Sequence, residues 1–566
     1  MNRFQTGAVV AIAFCLTCAL PGTALAQAHA GASEAPSTDA HGGGHRKGHG
    51  GGNQGMRIEP YIEAAQLATA ELSPGNETLT YSRLAVGVDA NLAGRNNQAS
   101  VSLRYERRIG WGGRASDGDT ISGIARVSAA VVPHVLRIEA GALAARTKLD
   151  GNGAAVLGPF GGEQGESRIY SIYAGPSLST HAGNVKLDAG YRAGYSKVEA
   201  PGLGGNASGT GNPGLDVFDE STVHDARLHA GIRPGEGLPV GVGAGAGYSR
   251  EDISNLDQRI EDFHARADIT VPLSYDFALV AGVGYEDVEI SSRDALRDAQ
   301  GDPVVGPGGR LITDQSSPRV LAYDVSGLIW DAGVIWRPSR RTQLEAHVGR
   351  RYGGTTYYGS FSYAPNDRSA LNIAVYDNVA GFGGQLNRAL AGLPAEFEVV
   401  RNPLSGDISG CVAALEKGNC LAGALGSLRS ATFRARGVMA SYTIDLGRIQ
   451  AGLGGGYDRR KFIAAPGTVL AIANGVIDEN IWLTGNLRAR LNRQASIGAQ
   501  VFANWFQSGA ALDGTATAFG AAVSYDRHLT EHLLATAALG IEGVSREDPF
   551  DDIWAASALV GVRYSF

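Results

Sequence analysis

The chain ends in Ala558-Leu559-Val560-Gly561-Val562-Arg563-Tyr564-Ser565-Phe566, and this stretch decides the fold. Side chains of a β-strand alternate between two faces, so one face carries the apolar residues Ala558, Val560, Val562, Tyr564 and Phe566. Strands of transmembrane β-barrels alternate in this way, with the apolar face toward lipid and the other face toward the lumen. We therefore predict an outer-membrane β-barrel. Its expected partners are outer-membrane lipids, lipopolysaccharide and the barrel-assembly machinery, for which the terminal residues Val560, Val562, Tyr564 and Phe566 resemble an assembly signal.

The beginning of the chain has the composition of a secretory signal peptide. A positive charge precedes an apolar run over residues 7–20, and a small-x-small cleavage site follows at residues 24–26. We predict that residues 1–26 are removed on export. Cys15 and Cys18 lie inside this segment and are interpreted as apolar filler, because neither follows the small residue that lipidation requires.

The mature chain begins with a Gly- and His-rich segment, residues 27–55, which we predict to be a disordered tail in the periplasm. Its four histidines are a candidate site for Zn²⁺, Ni²⁺ or Cu²⁺: His29, His41, His45 and His49. Glycine-separated histidines are not preorganised for a metal. A flexible tail that meets a periplasmic partner is therefore the alternative, and we predict no cofactor.

The remaining residues, 56–566, show no break in composition, which favours one large β architecture over several globular domains. Glycine accounts for 80 of 566 residues without a collagen-like period. After the signal, no stretch has the ~18 continuous apolar residues that a membrane helix needs. Alternating segments recur instead, and the apolar positions of one are Leu84, Val86, Val88, Ala90 and Leu92. Strands closed into a barrel satisfy every backbone group in lipid, so the whole region is predicted to be all-β.

The connections between the predicted strands alternate between tight and long, as they do between the two ends of an outer-membrane barrel. Tight turns are predicted near Arg95, Pro133, Gly183, Pro234, Ser274, Ser339, Asn366, Gly447, Asn492 and Leu529. Long loops are predicted at residues 151–165, 201–219, 292–318, 383–429, 464–478 and 545–552. This reading gives about 22 antiparallel strands, with 18–20 as alternatives, provided that residues 342–363 fold back at Gly353-Gly354.

A barrel of about 22 strands encloses a lumen that natural proteins fill. The short tail offers no folded plug domain, so we expect closure to come from loops. The loop at residues 383–429 is the candidate constriction, because it has helical spacing at Leu386, Leu390 and Leu393. Cys411 and Cys420 lie in the same loop and are predicted to form a disulfide in an oxidising compartment. A small external cap without a gating role is the alternative.

Charged residues fall at predicted lumen positions of several strands. The candidates are Arg104, Arg108, Arg192, Arg227, Arg266, Arg351, Arg488 and Arg490, with the acids Glu106 and Asp268 among their neighbours. Mixed charges of this kind tune which solutes pass through a pore. The arginines favour mild anion preference despite a net charge of −7. Structural ion pairing across the lumen wall is the alternative.

One stretch has the form of a zinc-protease motif, His528-Leu529-Thr530-Glu531-His532. That chemistry requires both histidines on one helix, whereas this stretch lies at a predicted turn between two strands. We therefore predict no enzyme activity, and no nucleic-acid partner is expected.

Four segments resemble a known family of long outer-membrane proteins of sphingomonad-type alphaproteobacteria. The segments are Arg57-Ile58-Glu59-Pro60-Tyr61-Ile62-Glu63, Ser102-Leu103-Arg104-Tyr105-Glu106-Arg107-Arg108, Ile253-Ser254-Asn255-Leu256-Asp257-Gln258-Arg259 and Trp336-Arg337-Pro338-Ser339-Arg340-Arg341. The resemblance implies a barrel associated with exosortases and exopolysaccharide loci. Members are often catalogued as preprotein translocase subunit YajC, and the family supplies no functional residues.

Three classes of function follow from these features. The first is a porin-like channel for solutes or polymers, related to surface polysaccharide. The second is a secretion or envelope-assembly barrel, and the third is a surface-structural or receptor barrel without transport. Barrel size, polar lumen positions and the lack of a plug domain favour the channel. Substrate, gating and oligomeric state do not follow from the sequence.

Overall fold

The computed structural model describes residues 55–94, 96–112, 115, 117–149, 155–156, 166–199, 217–306, 309–413, 419–421, 425, 428–509, 514–547 and 552–566. The predicted signal peptide, nearly all of the predicted tail and the four candidate metal-binding histidines lie outside these residues. Much of the predicted loops at 151–165 and 201–219 lies outside them as well.

The described chain is built almost entirely from β-strands. The strands are β1 (Met56–Ser73), β2 (Thr78–Ala93), β3 (Asn97–Trp111), β4 (Gly118–Val132), β5 (Leu136–Leu149), β6 (Ala155–Val156), β7 (Glu166–Ala182), β8 (Val185–Glu199), β9 (Glu220–Ile232), β10 (Gly241–Ile253), β11 (Gln258–Pro272), β12 (Phe277–Ser292), β13 (Val320–Ser339), β14 (Thr342–Arg351), β15 (Gly354–Asn366), β16 (Ser369–Ala380), β17 (Glu398–Arg401), β18 (Ile408–Ala413), β19 (Asn419–Cys420), β20 (Thr432–Asp445), β21 (Ile449–Ile463), β22 (Ile477–Arg490), β23 (Ala495–Gln507), β24 (Thr515–His528), β25 (Leu533–Arg546) and β26 (Ile553–Ser565).

Twenty-two of these strands form a closed antiparallel ring. The main sheet holds 23 strands, of which β6 pairs only with β5. The last strand, β26, pairs with β1 from Trp554 to Ser565, and this pairing closes the barrel. The predicted fold class and strand number are therefore confirmed. The predicted split at Gly353-Gly354 is also confirmed, since β14 ends at Arg351 and β15 starts at Gly354.

Alternation along the strands sets the two faces of the wall. In β26, Val560 is 69% exposed whereas the adjacent Leu559 is 3% exposed. In β2, which lies between β1 and β3, Leu84 and Val86 are exposed on the outside, whereas Arg83 is buried. The outward side chains are apolar through the middle of most strands, which is the surface that a bilayer requires.

The two ends of the barrel differ in their connections. All ten predicted tight turns fall at or beside a break between consecutive ring strands, on the end that also holds Gly55 and Phe566. The opposite end carries the longer connections, including residues 293–319 and 381–431. We call these the short-turn end and the long-loop end. In outer-membrane barrels the short turns face the periplasm.

Helical structure is sparse in the described ranges. It consists of α1 (Phe382–Ala391) and of 3₁₀ turns at Asn255–Asp257 and Val469–Ala473. None of the described helices is long and apolar enough to cross a membrane. The stretch from His528 to His532 forms the turn between β24 and β25, as predicted, and His532 Nδ1 lies 3.0 Å from the carbonyl oxygen of Ser565.

Candidate functional site in the lumen

The described part of the chain between β16 and β20, within residues 381–431, lies inside the ring of strands. We call it the inserted segment. Its helix α1 packs against the inner faces of β5, β7, β8 and β9. Leu386 and Leu390 are 0% exposed and join a buried apolar cluster with wall residues such as Ile124 and Ile169. The helical spacing in the sequence therefore corresponds to a face that packs on the barrel wall.

The first turn of α1 is held by a buried carboxylate on β10. Glu251 accepts hydrogen bonds from the backbone N–H groups of Gly381 and Gly384, each at 2.8 Å. A negative charge is stabilising at the positive end of the helix dipole. A Cβ at Gly383 would lie 2.0 Å from Ser221 Oγ, so glycine allows the helix to approach β9.

After α1 the inserted segment forms a hairpin, β17–β18, whose tip is residues 402–407. The side-chain oxygen of Asn402 accepts from the N–H groups of Leu404, at 2.9 Å, and Ser405, at 3.2 Å. The Asn402 N–H donates to the Asp407 carbonyl, and Gly406 has a φ of +73°, which favours glycine. These local bonds give the tip a defined shape.

Two arginines of the barrel wall hold the tip. Arg146 on β5 forms an ion pair with Asp407, with Nη2 at 2.8 Å from Oδ2, and it also donates to the Ser405 carbonyl. Arg83 on β2 donates to the carbonyl oxygens of Pro403 and Leu404. Charge-assisted hydrogen bonds of this kind are stronger than neutral ones.

The tip also makes an apolar contact near the middle of the barrel wall. Leu404 is 3% exposed and lies in one cluster with Leu67 of β1, Ala538 of β25 and Leu559 of β26. A Cβ at Gly540 would lie 2.5 Å from the Leu404 side chain. The glycine therefore makes room for the tip at that depth.

Further contacts tie the hairpin to other parts of the wall. Arg401 donates to Ser102 Oγ on β3 at 2.9 Å and to Ser122 Oγ on β4 at 3.0 Å. Burial lowers the pKa of this guanidinium, so these bonds offset part of a desolvation cost. Gln500 on β23 donates to the Arg401 carbonyl at 2.7 Å. The hairpin therefore spans the lumen from β3 and β4 to β23.

A large cavity lies between the hairpin and the short-turn end. Its volume is about 2230 Å³. Turn residues such as Gly94, Asn366 and Asp445 line its mouth, and residues 392–403 of the inserted segment form its inner end. The lining carries both arginines and carboxylates. Water and hydrophilic solutes fit such a surface better than apolar molecules do.

Four side chains at the inner end of this cavity form a compact charge network. Arg104 lies 2.7 Å from Glu63 and 3.2 Å from Glu106, and Arg83 lies 2.9 Å from Glu63. Arg104 and Arg83 have side chains that are only 4% exposed. Mutual pairing compensates for burying these charges.

The structure places all ten predicted lumen residues on inward positions of their strands. Five of the arginines have a carboxylate within ion-pair distance: Arg104 with Glu63, Arg192 with Asp225, Arg266 with Asp331, Arg351 with Asp262 and Arg488 with Glu398. Asp268 pairs with His229 at 3.1 Å. Arg490 donates to the Gly447 carbonyl at the short-turn rim, and Arg108 and Arg227 lie elsewhere on the inner face. This pattern is what the ion-pairing alternative expects.

The two mature cysteines are register partners. Cys411 on β18 lies directly opposite Cys420 on β19 in an antiparallel pair. The disulfide between them remains a prediction.

Sequence reasoning missed the residues that hold the tip. The sequence assigned no role to Arg83, Arg146, Arg401 or Asp407. The Asn-Pro sequence at residues 402–403 and the Gly-Asp at 406–407 are turn signals that mark the tip. No local signal identifies which wall residues it meets.

Comparisons with known proteins show similarity at the level of solved structures only. No family model matches the chain, and no curated protein matches it. The FrpB iron transporter from Neisseria meningitidis (F5-1 variant) is 13% identical, with 89% of this chain and 82% of that chain covered and a TM-score of 0.42. The ferric-catecholate import receptor Fiu from Escherichia coli K12 is 11% identical, with 89% and 81% covered and a TM-score of 0.40. The siderophore receptor PiuA from Acinetobacter baumannii is 9% identical, with 89% and 82% covered and a TM-score of 0.39.

Proposed function

We propose that this protein is an outer-membrane channel for hydrophilic solutes or polymers, narrowed by the inserted segment. The observation that carries the proposal is the hairpin tip, which reaches the middle of the wall and is held there mainly by side-chain contacts. Side-chain contacts break and re-form more readily than the backbone hydrogen bonds between two paired strands. A cavity of about 2230 Å³ already connects the tip to the short-turn end.

Surface polysaccharide is the substrate that we propose for this channel. The cavity surface mixes cations such as Arg137 with acids such as Glu139, and it also presents the amides of Gln98 and Asn486. The hydroxyl groups of a polysaccharide both donate and accept hydrogen bonds, so they pair with the charged groups and with the amides. The family resemblance of the four quoted segments points in the same direction.

Conductance in planar bilayers tests the proposal. We expect the purified full-length barrel to give discrete openings, which acidic or neutral oligosaccharides block when added to the short-turn side. A folded protein that never conducts at any voltage would overturn the channel and favour a structural or receptor barrel. Conductance that no oligosaccharide blocks would support the channel but rule out polysaccharide as its substrate.

We expect Asp407→Ala to loosen the tip. The substitution removes a carboxylate that accepts bonds from Arg146 in a side-chain pair only 8% and 14% exposed, at a cost of about 1.5–3 kcal/mol to the docked state. The open state should become more frequent, and amide exchange over residues 398–408 should become faster. Asp367→Ala is the control. The Asp367 side chain is 92% exposed where it pairs with Arg341, so its loss should have no effect on gating. Identical gating in both variants would show that the tip does not control the pore.

We expect loss of the predicted disulfide to make the gating noisier. Cross-linking Cys411 to Cys420 limits how far the hairpin moves, because the bond closes a short loop behind it. Single-channel noise before and after reduction measures the effect. A Cys411→Ser/Cys420→Ser variant should show the noisy behaviour without reductant and no further response to it. Equal noise in the untreated natural protein and this variant would count against a disulfide that restrains the hairpin.

A further inference from the structure

The strand ladder between β15 and β16 stops halfway along the wall. The pairing runs from Asn366 opposite Ser369 to Gly359 opposite Val375 and goes no further. Toward the long-loop end, residues 354–358 of β15 and 376–380 of β16 are strands without a ladder between them. Each keeps its other neighbour, because β14 pairs with β15 as far as Gly354 and β20 pairs with β16 as far as Ala380. We call this gap the seam.

Side chains bridge the seam where backbone does not. Arg434 and Arg436 on β20 reach past β16 and donate to the Thr355 carbonyl of β15, at 3.1 and 2.6 Å. Both arginines also pair with Asp377 of β16, whose side chain is 0% exposed. Backbone groups that face lipid need hydrogen-bond partners within the protein. The guanidinium groups therefore replace the missing ladder, and they do so with bonds that separate without unfolding a strand.

The outward face of the seam is basic. Arg434 and Arg436 lie on the same face of β20 as Val438, which is 38% exposed, so they continue the outward face beyond its apolar part. Their register partners on β21 are Lys461 and Arg459. Arg459 has a side chain 36% exposed, and its carboxylate partner, Glu479, is 40% exposed. We call these four cations the basic patch.

The inward face of the seam is apolar. Val379 of β16 is 5% exposed and lies in one buried cluster with Tyr352 and with Ile260, Val288 and Ile290. Position 379 alternates with the inward Asn378 and Ala380, so a regular strand would present it to lipid. The end of β16 has therefore turned its lipid side toward other apolar residues of the barrel. Apolar side chains therefore lie directly behind the seam.

We propose that the seam is a lateral binding site for an anionic lipid of the outer leaflet. The phosphate or carboxylate head group binds the basic patch, and an acyl chain enters between β15 and β16 toward Val379 and Tyr352. Charge complementarity with the basic patch, together with the apolar side chains behind the seam, selects this ligand over a soluble anion. The site is separate from the cavity at the short-turn end and does not depend on the proposed channel.

Site-specific photocross-linking in intact cells tests the proposal. A benzophenone amino acid replaces Thr356, an inward residue at the seam, or Asn504, an inward residue of β23 whose ladders to β22 and β24 are complete. We expect lipid adducts at position 356 and none above background at position 504, with the barrel confirmed folded by heat-modifiable mobility. The adduct mass distinguishes a lipopolysaccharide from a glycerophospholipid. Equal, background yields at both positions would overturn the lateral site.

A second variant tests the head-group assignment. Arg459→Ala/Lys461→Ala removes two cations that do not bridge β15 and β16, so the bonds of Arg434 and Arg436 across the seam are left in place. We expect the adduct yield at position 356 to fall roughly tenfold or more, since each cation near an anionic lipid surface contributes to binding. An unchanged yield would show that the basic patch does not hold the head group.

Discussion

Removal of residues 386–425 is expected to raise the single-channel conductance severalfold and to sensitise cells to large antibiotics. A ring of 22 strands without a filler leaves a wide aqueous pore. In this protein the helix α1 and the hairpin tip occupy that space, with Leu386 at 0% and Leu404 at 3% exposure. A short Gly-Ser linker from Gln385 to Gly426 closes the deletion. Planar-bilayer recordings and antibiotic inhibition zones measure the two effects.

The matched control removes residues 297–305 from the connection between β12 and β13. These residues are largely exposed at the long-loop end, so their loss should leave conductance unchanged. The segment deletion must first show heat-modifiable mobility, which reports a closed barrel. Unchanged conductance and resistance in the folded deletion would mean that the inserted segment does not limit passage.

Replacement of Phe566 by aspartate is expected to abolish stable insertion into the outer membrane. Phe566 is 67% exposed at the end of the lipid face, and its ring contacts Tyr564 edge-on at 5.1 Å. A charge near the membrane interface costs only ~0–1 kcal/mol, so lost recognition by the assembly machinery is the expected cause. Outer-membrane abundance and heat-modifiable mobility measure the effect.

Two variants at the same place separate recognition from charge. Ser565→Asp adds the same charge one residue earlier, on the inward face, and should insert normally. Phe566→Tyr keeps the terminal aromatic ring and should also insert. Normal abundance of Phe566→Asp would show that the terminal residue is not part of an assembly signal.

The strands, their faces and their turns were predictable because each depends on neighbouring residues. The alternation of Leu84 and Val86 with Arg83 determines which side meets lipid, whatever the rest of the chain does. Glycines at turns mark the strand ends in the same local way, as at Gly447, where φ is +82°. The number of strands then follows from the turns.

The same alternation fails where tertiary contacts override it. Arg146 and Ile138 are an even number of residues apart on β5, so regular alternation would place both on the outward face. Ile138 is 45% exposed there, whereas the Arg146 side chain is 8% exposed and pairs with Asp407. Asp377 and Val379 likewise occupy outward positions and are buried. Both places lack a stretch of ladder, because β4 and β5 pair only as far as Gly123 and Ala144, and β15 and β16 only as far as Gly359 and Val375. The side chains beyond these points leave the face that their position predicts.

The sequence by itself determined a 22-stranded barrel with an apolar outside, a charged inside and a long loop that has a helical apolar face. Only the tertiary structure decided that this loop lies within the lumen, that Arg83 and Arg146 hold its tip, and that the wall parts between β15 and β16. The physical reason is the distance along the sequence between the residues that interact. Strand faces and turns follow from residues a few positions apart, whereas Arg146 and Asp407 are 261 residues apart and meet only when the ring has closed.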